Sequence, residues 1–256
     1  MTDQKKVLIV KELSYQHILS NINFSTNCGE ITVIIGPNGA GKSSLLKCIS
    51  GLYPTDAGEV LFQGKSLPDL NVRERAKILA ILTQKVDVAF DFYVDDIIEL
   101  GFYPHRFTKK QKIEKLNKLL LEFDLMEARK RFYNTLSGGE QQRVQMARIF
   151  AQLDLDGEQK NKLLLLDEHV SHLDPYYQHL SFTQVKDAAR KYKLSVIAVV
   201  HDLALAAEYA DNILLLSKGS VEAYGPVSEV ISIENMSRCF NMKMTGNIRS
   251  GFKLSL

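Results

Sequence analysis

The sequence predicts an α/β fold with a mostly parallel central sheet and a helical subdomain inserted into it. Two observations carry that reading. Short apolar runs alternate with helical stretches, and each run ends at a glycine or a polar residue. The runs are also apolar at consecutive positions, as strands are when helices cover both faces of their sheet. ITVII at 31–35, KLLLL at 162–166, SVIAVV at 195–200 and NILLLS at 212–217 supply four central strands. From Gln84 to about Leu153 the texture changes. The stretch KKQKIEKLNKLLLEFDLMEARKR (109–131) sets leucines and isoleucines three and four apart with lysines and glutamates between them, an amphipathic helical pattern. The predicted division is an α/β core at 1–84 and 154–256, with the helical insertion at 85–153. After Pro226 one short helix is expected, at roughly 227–232.

The 256 residues are 45% hydrophobic and 24% charged, with a net charge of +2. That composition suffices for a packed core and lacks the basic excess of a nucleic-acid or anionic-membrane binder, so no nucleic acid is expected as a partner. Cys28, Cys48 and Cys239 show no paired spacing. Neither a disulfide framework nor a zinc site is predicted, and a reducing cytoplasm is the expected compartment. No window approaches the roughly 18 to 20 apolar residues of a spanning helix, and the amino-terminal MTDQKKVLIV has too short an apolar run for a secretory leader.

Three motifs carry chemistry. Gly36-Pro37-Asn38-Gly39-Ala40-Gly41-Lys42-Ser43 follows the ITVII strand and precedes the helix-like SLLKCIS, which begins at Ser44. It fits a phosphate-binding loop at every fixed position, and a chance match in a chain this long is on the order of one in a hundred. Glycines let backbone N–H groups turn toward phosphate oxygens, Lys42 reaches the β and γ phosphates, and Ser43 offers its hydroxyl to Mg²⁺. LLLLDE then delivers Asp167 and Glu168 at the carboxyl end of a strand, where ligand crevices form in parallel sheets. Alone, such a pair would read equally well as a helix cap; beside a phosphate loop, Asp167 reads as a Mg²⁺ ligand and Glu168 as the group that orients the attacking water. LSGGEQQR at 136–143 opens a helix, and Ser137, Gly138 and Gly139 at its amino end form a second candidate anion site.

Taken in order, these motifs resemble those of ATP-binding subunits of ABC transporters, over nearly the whole chain. The resemblance implies a P-loop NTPase (ABC ATPase) core with an amino-terminal antiparallel β portion. It makes the phosphate loop the Walker A motif, LLLLDE the Walker B motif and LSGGEQQR the signature. Gln84 stands where the family's Q-loop glutamine is expected and would join Ser43 and Asp167 at Mg²⁺. His201 stands at the switch histidine, to contact the γ-phosphate beside the catalytic Glu168 and Lys42, and Tyr15 at the adenine-stacking aromatic. The resemblance also implies a head-to-tail homodimer with two ATP held between Walker A of one copy and the signature of the other. Two integral membrane permease subunits would dock near the helical subdomain, and a periplasmic or surface substrate-binding protein would act indirectly. That places the chain peripherally on the cytoplasmic face of the inner membrane.

Smaller features bear on the cargo. LGFYPH at 100–105 looks like a string found in importers of iron chelates, heme and cobalamin, with Phe102 where many carry Arg. The long polar connection AQLDLDGEQKNK (151–162) is similar to that of hemin importer ATPases. Hemin is the expected cargo, ahead of ferric siderophore and cobalamin; a soluble ABC ATPase of the iron–sulfur assembly type would share the same nucleotide motifs. A P-loop switch or kinase would have no use for LSGGEQQR. The chain departs from the family at His169-Val170, where Pro-Thr is usual, and at His172, where Ala is usual. Drift at tolerant positions explains both; a pH-sensitive dimer seam at His172 is the sharper alternative.

Overall fold

A computed structural model describes residues 6–83, 90–157, 161–171, 173–241, 243–247 and 251–255. Gln84 and His172 lie outside the described residues. Among the described residues, ten of the twelve strands form two sheets. The first is antiparallel, in the order β2-β1-β4-β5, from β1 (Lys6–Tyr15), β2 (Leu19–Asn27), β4 (Ala57–Phe62) and β5 (Lys65–Ser66). The second runs β10-β9-β3-β8-β7-β6, from β3 (Ile31–Ile35), β6 (Leu79–Leu82), β7 (Leu163–Asp167), β8 (Ser195–Val199), β9 (Asn212–Ser217) and β10 (Ser220–Pro226). It is parallel except that β10 pairs antiparallel with β9. A separate hairpin, β11 (Lys243–Asn247) and β12 (Gly251–Ser255), follows.

The continuous apolar runs have the physical origin expected of them. Every residue of β3, β7 and β8 is buried, because alternate side chains enter two different cores. Leu164, Leu166, Val196 and Ala198 join one core, shared with α3 (Val94–Leu100), α4 (Lys109–Glu122), α5 (Gly138–Leu153) and α6 (Pro175–Tyr192). Leu163, Leu165, Ile197 and Val199 join the other, with α1 (Lys42–Ile49) and the antiparallel sheet. At about 1.5–3 kcal/mol for each fully buried leucine or isoleucine, the sheet is held from both sides.

Two helix expectations are adjusted. The pattern at 109–131 continues through EARKR, yet α4 stops at Glu122, because Asp124 turns left-handed (φ 52°) and Leu125 bonds back to Leu120. The predicted helix at 227–232 is shorter, α8 (Val227–Val230), after α2 (Val72–Ile78) and α7 (Leu203–Tyr209) earlier in the chain. Ser232 then caps a further helix, α9 (Ile233–Phe240), by accepting from the Asn235 N–H.

Candidate active site

Sheet order assembles the site. Reading across the carboxyl ends of neighbouring strands, β3 leads into the phosphate loop, β8 toward His201, β7 into Asp167 and Glu168, and β6 into Thr83. Residues more than a hundred positions apart therefore meet on one rim, as crevices in parallel sheets do.

The phosphate loop needs its glycines. Gly36, Gly39 and Gly41 all have positive φ, at 151°, 78° and 98°. A Cβ on Gly36 would sit 2.0 Å from the Leu216 carbonyl oxygen, whereas one on Gly39 would meet nothing within 4 Å. The loop is thus pressed against β9 at its base and open at its tip, where Asn38 and Gly39 are exposed; Pro37 is half-buried and Ala40 buried. Lys42 is buried at 5% exposure, and its ammonium donates to the carbonyls of Gly36 and Pro37, each at 2.9 Å. Burial lowers its pKa. Ser43 Oγ donates to Asp167 Oδ1 at 2.8 Å; burial raises the Asp167 carboxyl, with the Ser43 bond opposing the rise. Ser44 is half-buried on α1. A hydroxyl and a carboxylate oxygen in contact form a donor set suited to a hard dication such as Mg²⁺. Among the described residues no cluster of three His, Cys, Asp or Glu offers an alternative metal site.

Glu168 has φ 49°, a left-handed conformation that costs a non-glycine residue about 1–3 kcal/mol. Its Oε1 lies 2.6 Å from His201 Nε2. Strand register explains the pair: Asp167 is opposite Val199, so the residues that follow leave adjacent strands side by side. Asp202 then caps α7 by accepting from the Ala204 and Leu205 N–H groups at 2.7 and 3.0 Å.

Ser137 caps α5 in a reciprocal box with Glu140, whose carboxylate accepts from the Ser137 N–H at 2.8 Å and its hydroxyl at 2.9 Å. Arg131 pairs with Glu140 at 2.8 Å, and the Ser137 backbone bond is the largest influence lowering the Glu140 pKa. Every described side-chain bond of Ser137 stays within this box. A Cβ on Gly138 would meet nothing within 4 Å, while one on Gly139 would meet the Tyr177 ring at 3.2 Å.

Tyr15 is buried at 8% exposure, and Tyr53 stacks on it with centroids 5.2 Å apart. Sequence reasoning missed Tyr53, which has no motif spacing to mark it. His169 is buried at 1% exposure, with Nε2 3.3 Å from Ser181 Oγ and its ring edge-on to Phe182; Val170 is buried too.

Residues 19–171 match the ABC transporter family. The chain belongs to that family. Over 227 residues it is 39% identical to the hemin import ATP-binding protein HmuV of Methylobacillus flagellatus, covering 88% of this chain and 84% of that protein. The HmuV protein of Escherichia coli O157:H7 is 36% identical over 93% of this chain and 91% of its own length. Among solved structures, an inward-facing metal-chelate type ABC transporter chain superimposes with a TM-score of 0.80 at 25% identity, covering 98% of this chain and 96% of that one. This ABC chain is an ATP-binding subunit whose hydrolysis is coupled to transport, and it works in association with membrane permease components. No helix among its described residues is long and apolar enough to cross a membrane.

Proposed function

We propose that this chain is the ATPase of a hemin importer, acting as a head-to-tail homodimer beneath two permease subunits on the cytoplasmic face of the inner membrane. The observation that supports the cargo is the set of relatives named as hemin import proteins, 34–39% identical across most of the chain. A periplasmic or surface binding protein would deliver the cargo.

In this reading the glycine loop holds the ATP phosphates with backbone N–H groups, and Lys42 exchanges its two loop carbonyls for β- and γ-phosphate oxygens. Ser43, Asp167 and Gln84 would hold Mg²⁺, which neutralises phosphate charge when bound. Glu168 orients the attacking water and accepts its proton, an effect of about 10²- to 10⁴-fold. His201, already against Glu168, fixes that carboxylate and turns to the γ-phosphate as two copies close. Tyr15 and Tyr53 give the adenine an aromatic platform, and Ser137, Gly138 and Gly139 of the second copy complete the site.

The test is ATPase activity of the chain copurified with its permease subunits in lipid, with binding protein loaded with heme, ferric siderophore or cobalamin. Stimulation by the heme-loaded form alone is expected. Stimulation by another form would replace the cargo, and recovery of no permease would favour a soluble role. Glu168→Gln should lower turnover at least about 100-fold and trap an ATP-bound dimer; equal turnover would remove Glu168 from the mechanism.

A further inference from the structure

The helix that carries the signature makes contacts at both of its ends. At 16 residues α5 is about 24 Å long, with Ser137 at its amino end and Gln152 in its last turn. The Gln152 side chain leaves the helical insertion and reaches the core sheet: Nε2 donates to the carbonyls of Ala76 and Leu79, each at 3.0 Å. Ala76 is in the last turn of α2, where carbonyls lack intrahelical partners, and Leu79 begins β6, the edge strand of the six-stranded sheet. One carboxamide thus satisfies both a frayed helix end and a sheet edge.

The Gln152 backbone holds a third element. Its carbonyl accepts from His105 Nε2 at 2.8 Å, which fixes a proton on that nitrogen. The His105 ring stacks on Phe107 at 4.9 Å, and Arg73 Nε of α2 donates to the Pro104 carbonyl at 2.9 Å. The segment 100–105 is therefore tied from beneath, while Leu100 and Tyr103 above it are 56% and 87% exposed. The edge strand reaches the catalytic rim directly: Leu82 of β6 is opposite Leu166, one residue before Asp167.

We propose that Gln152 is a positioning residue, the pivot that fixes the signature helix and the exposed 100–105 segment to the strand leading into the nucleotide rim. The inference rests on the transporter-ATPase reading and adds to it a mechanical link between the two ends of α5. Displacement of the 100–105 surface reaches β6 through His105 and Gln152, and a shift of β6 reaches Ser137 through the same rigid helix. Gln152 sits at the opposite end of α5 from Ser137 and its side chain bonds to Ala76 and Leu79, away from the phosphate loop, so its loss should leave nucleotide binding by that loop intact and change how the signature end is placed.

The experiment compares Gln152→Met, which keeps the length without donors, with Gln152→Lys, whose ammonium can donate to both carbonyls. For the isolated chain, Gln152→Met should lower kcat about five-fold, with fluorescent ATP affinity within about two-fold and Tm within a few degrees. Gln152→Lys should recover most of the turnover. Unchanged kcat in Gln152→Met would overturn the proposal, as would parallel losses of affinity, Tm and turnover that Lys does not rescue. His105→Phe keeps the ring stack and cuts only the outer branch. It should leave isolated turnover unchanged while reducing stimulation in the permease complex about five-fold; full stimulation would remove His105 from the link. Glu168→Gln, measured in parallel, separates the two readings: turnover surviving in that variant would count against the catalytic assignment and not against the pivot.

Discussion

At the scale of single residues, glycine positions that look equivalent in the sequence do different jobs. Gly36 and Gly39 both belong to the phosphate-loop pattern, but an added methyl on Gly36 would meet the Leu216 carbonyl at 2.0 Å, and on Gly39 it would point into open space. Gly36→Ala must therefore shift β3 against β9, and a large fall in Tm is expected together with lost nucleotide binding. Gly39→Ala carries only the left-handed backbone cost of about 1–2 kcal/mol. It should retain most of its thermal stability and yet bind ATP more weakly, since its methyl stands where the loop opens. Thermal melts paired with ATP titrations check both, and equal melting losses would show that the tip is as constrained as the base. The motif made every one of these residues legible in advance. What it could not carry is the contact with β9, 180 residues away, or the 2.6 Å pairing of Glu168 with His201, because both depend on which strands become neighbours.

At the scale of elements, periodicity located the buried strands well, because a strand packed on both faces has no polar positions to hide it. Helix ends were harder to locate: α4 and α8 stop where Asp124 and Ile231 leave helical geometry, a local backbone choice that side-chain pattern does not encode. The junction of α3 with α5 is similar. Gly101 has ordinary helical φ, and its need is steric, with a Cβ landing 2.3 Å from the Arg148 carbonyl. Just beyond that junction, burial pushes the His105 imidazole below its usual pKa, with the bond to Gln152 opposing the shift. The sign follows from the neutral ring being favoured in the folded chain. Between the folded pKa and the ordinary value near 6.5, the unfolded chain binds more protons. This contribution is therefore present above about pH 6.5 and is lost as pH falls toward the folded pKa. Wild type should lose more Tm between pH 7 and 5.5 than His105→Phe does; parallel curves would mean that His105 titrates alike in both states.

At the scale of the whole molecule, the two candidate phosphate sites in one chain are not equivalent. The loop before α1 is served by Lys42, Ser43, Asp167, Glu168 and His201 on a single rim, whereas Ser137 spends its described side-chain bonds on Glu140. The proposed homodimer, with its site built in trans, would account for this division, since the signature would then wait for the nucleotide held by a second copy. Lys42→Ala destroys the phosphate loop of its own copy and leaves its signature; Ser137→Arg does the reverse by filling the helix amino end. Each variant alone has every site damaged and should be nearly inactive. Mixed in equal amounts they form a heterodimer in which one site combines the intact loop of the Ser137→Arg copy with the intact signature of the Lys42→Ala copy. Activity should therefore reappear on mixing and grow with total protein concentration, as an assembly reaction requires. A site completed within one chain predicts no recovery at any ratio, so one steady-state ATPase titration of the two variants decides between the arrangements.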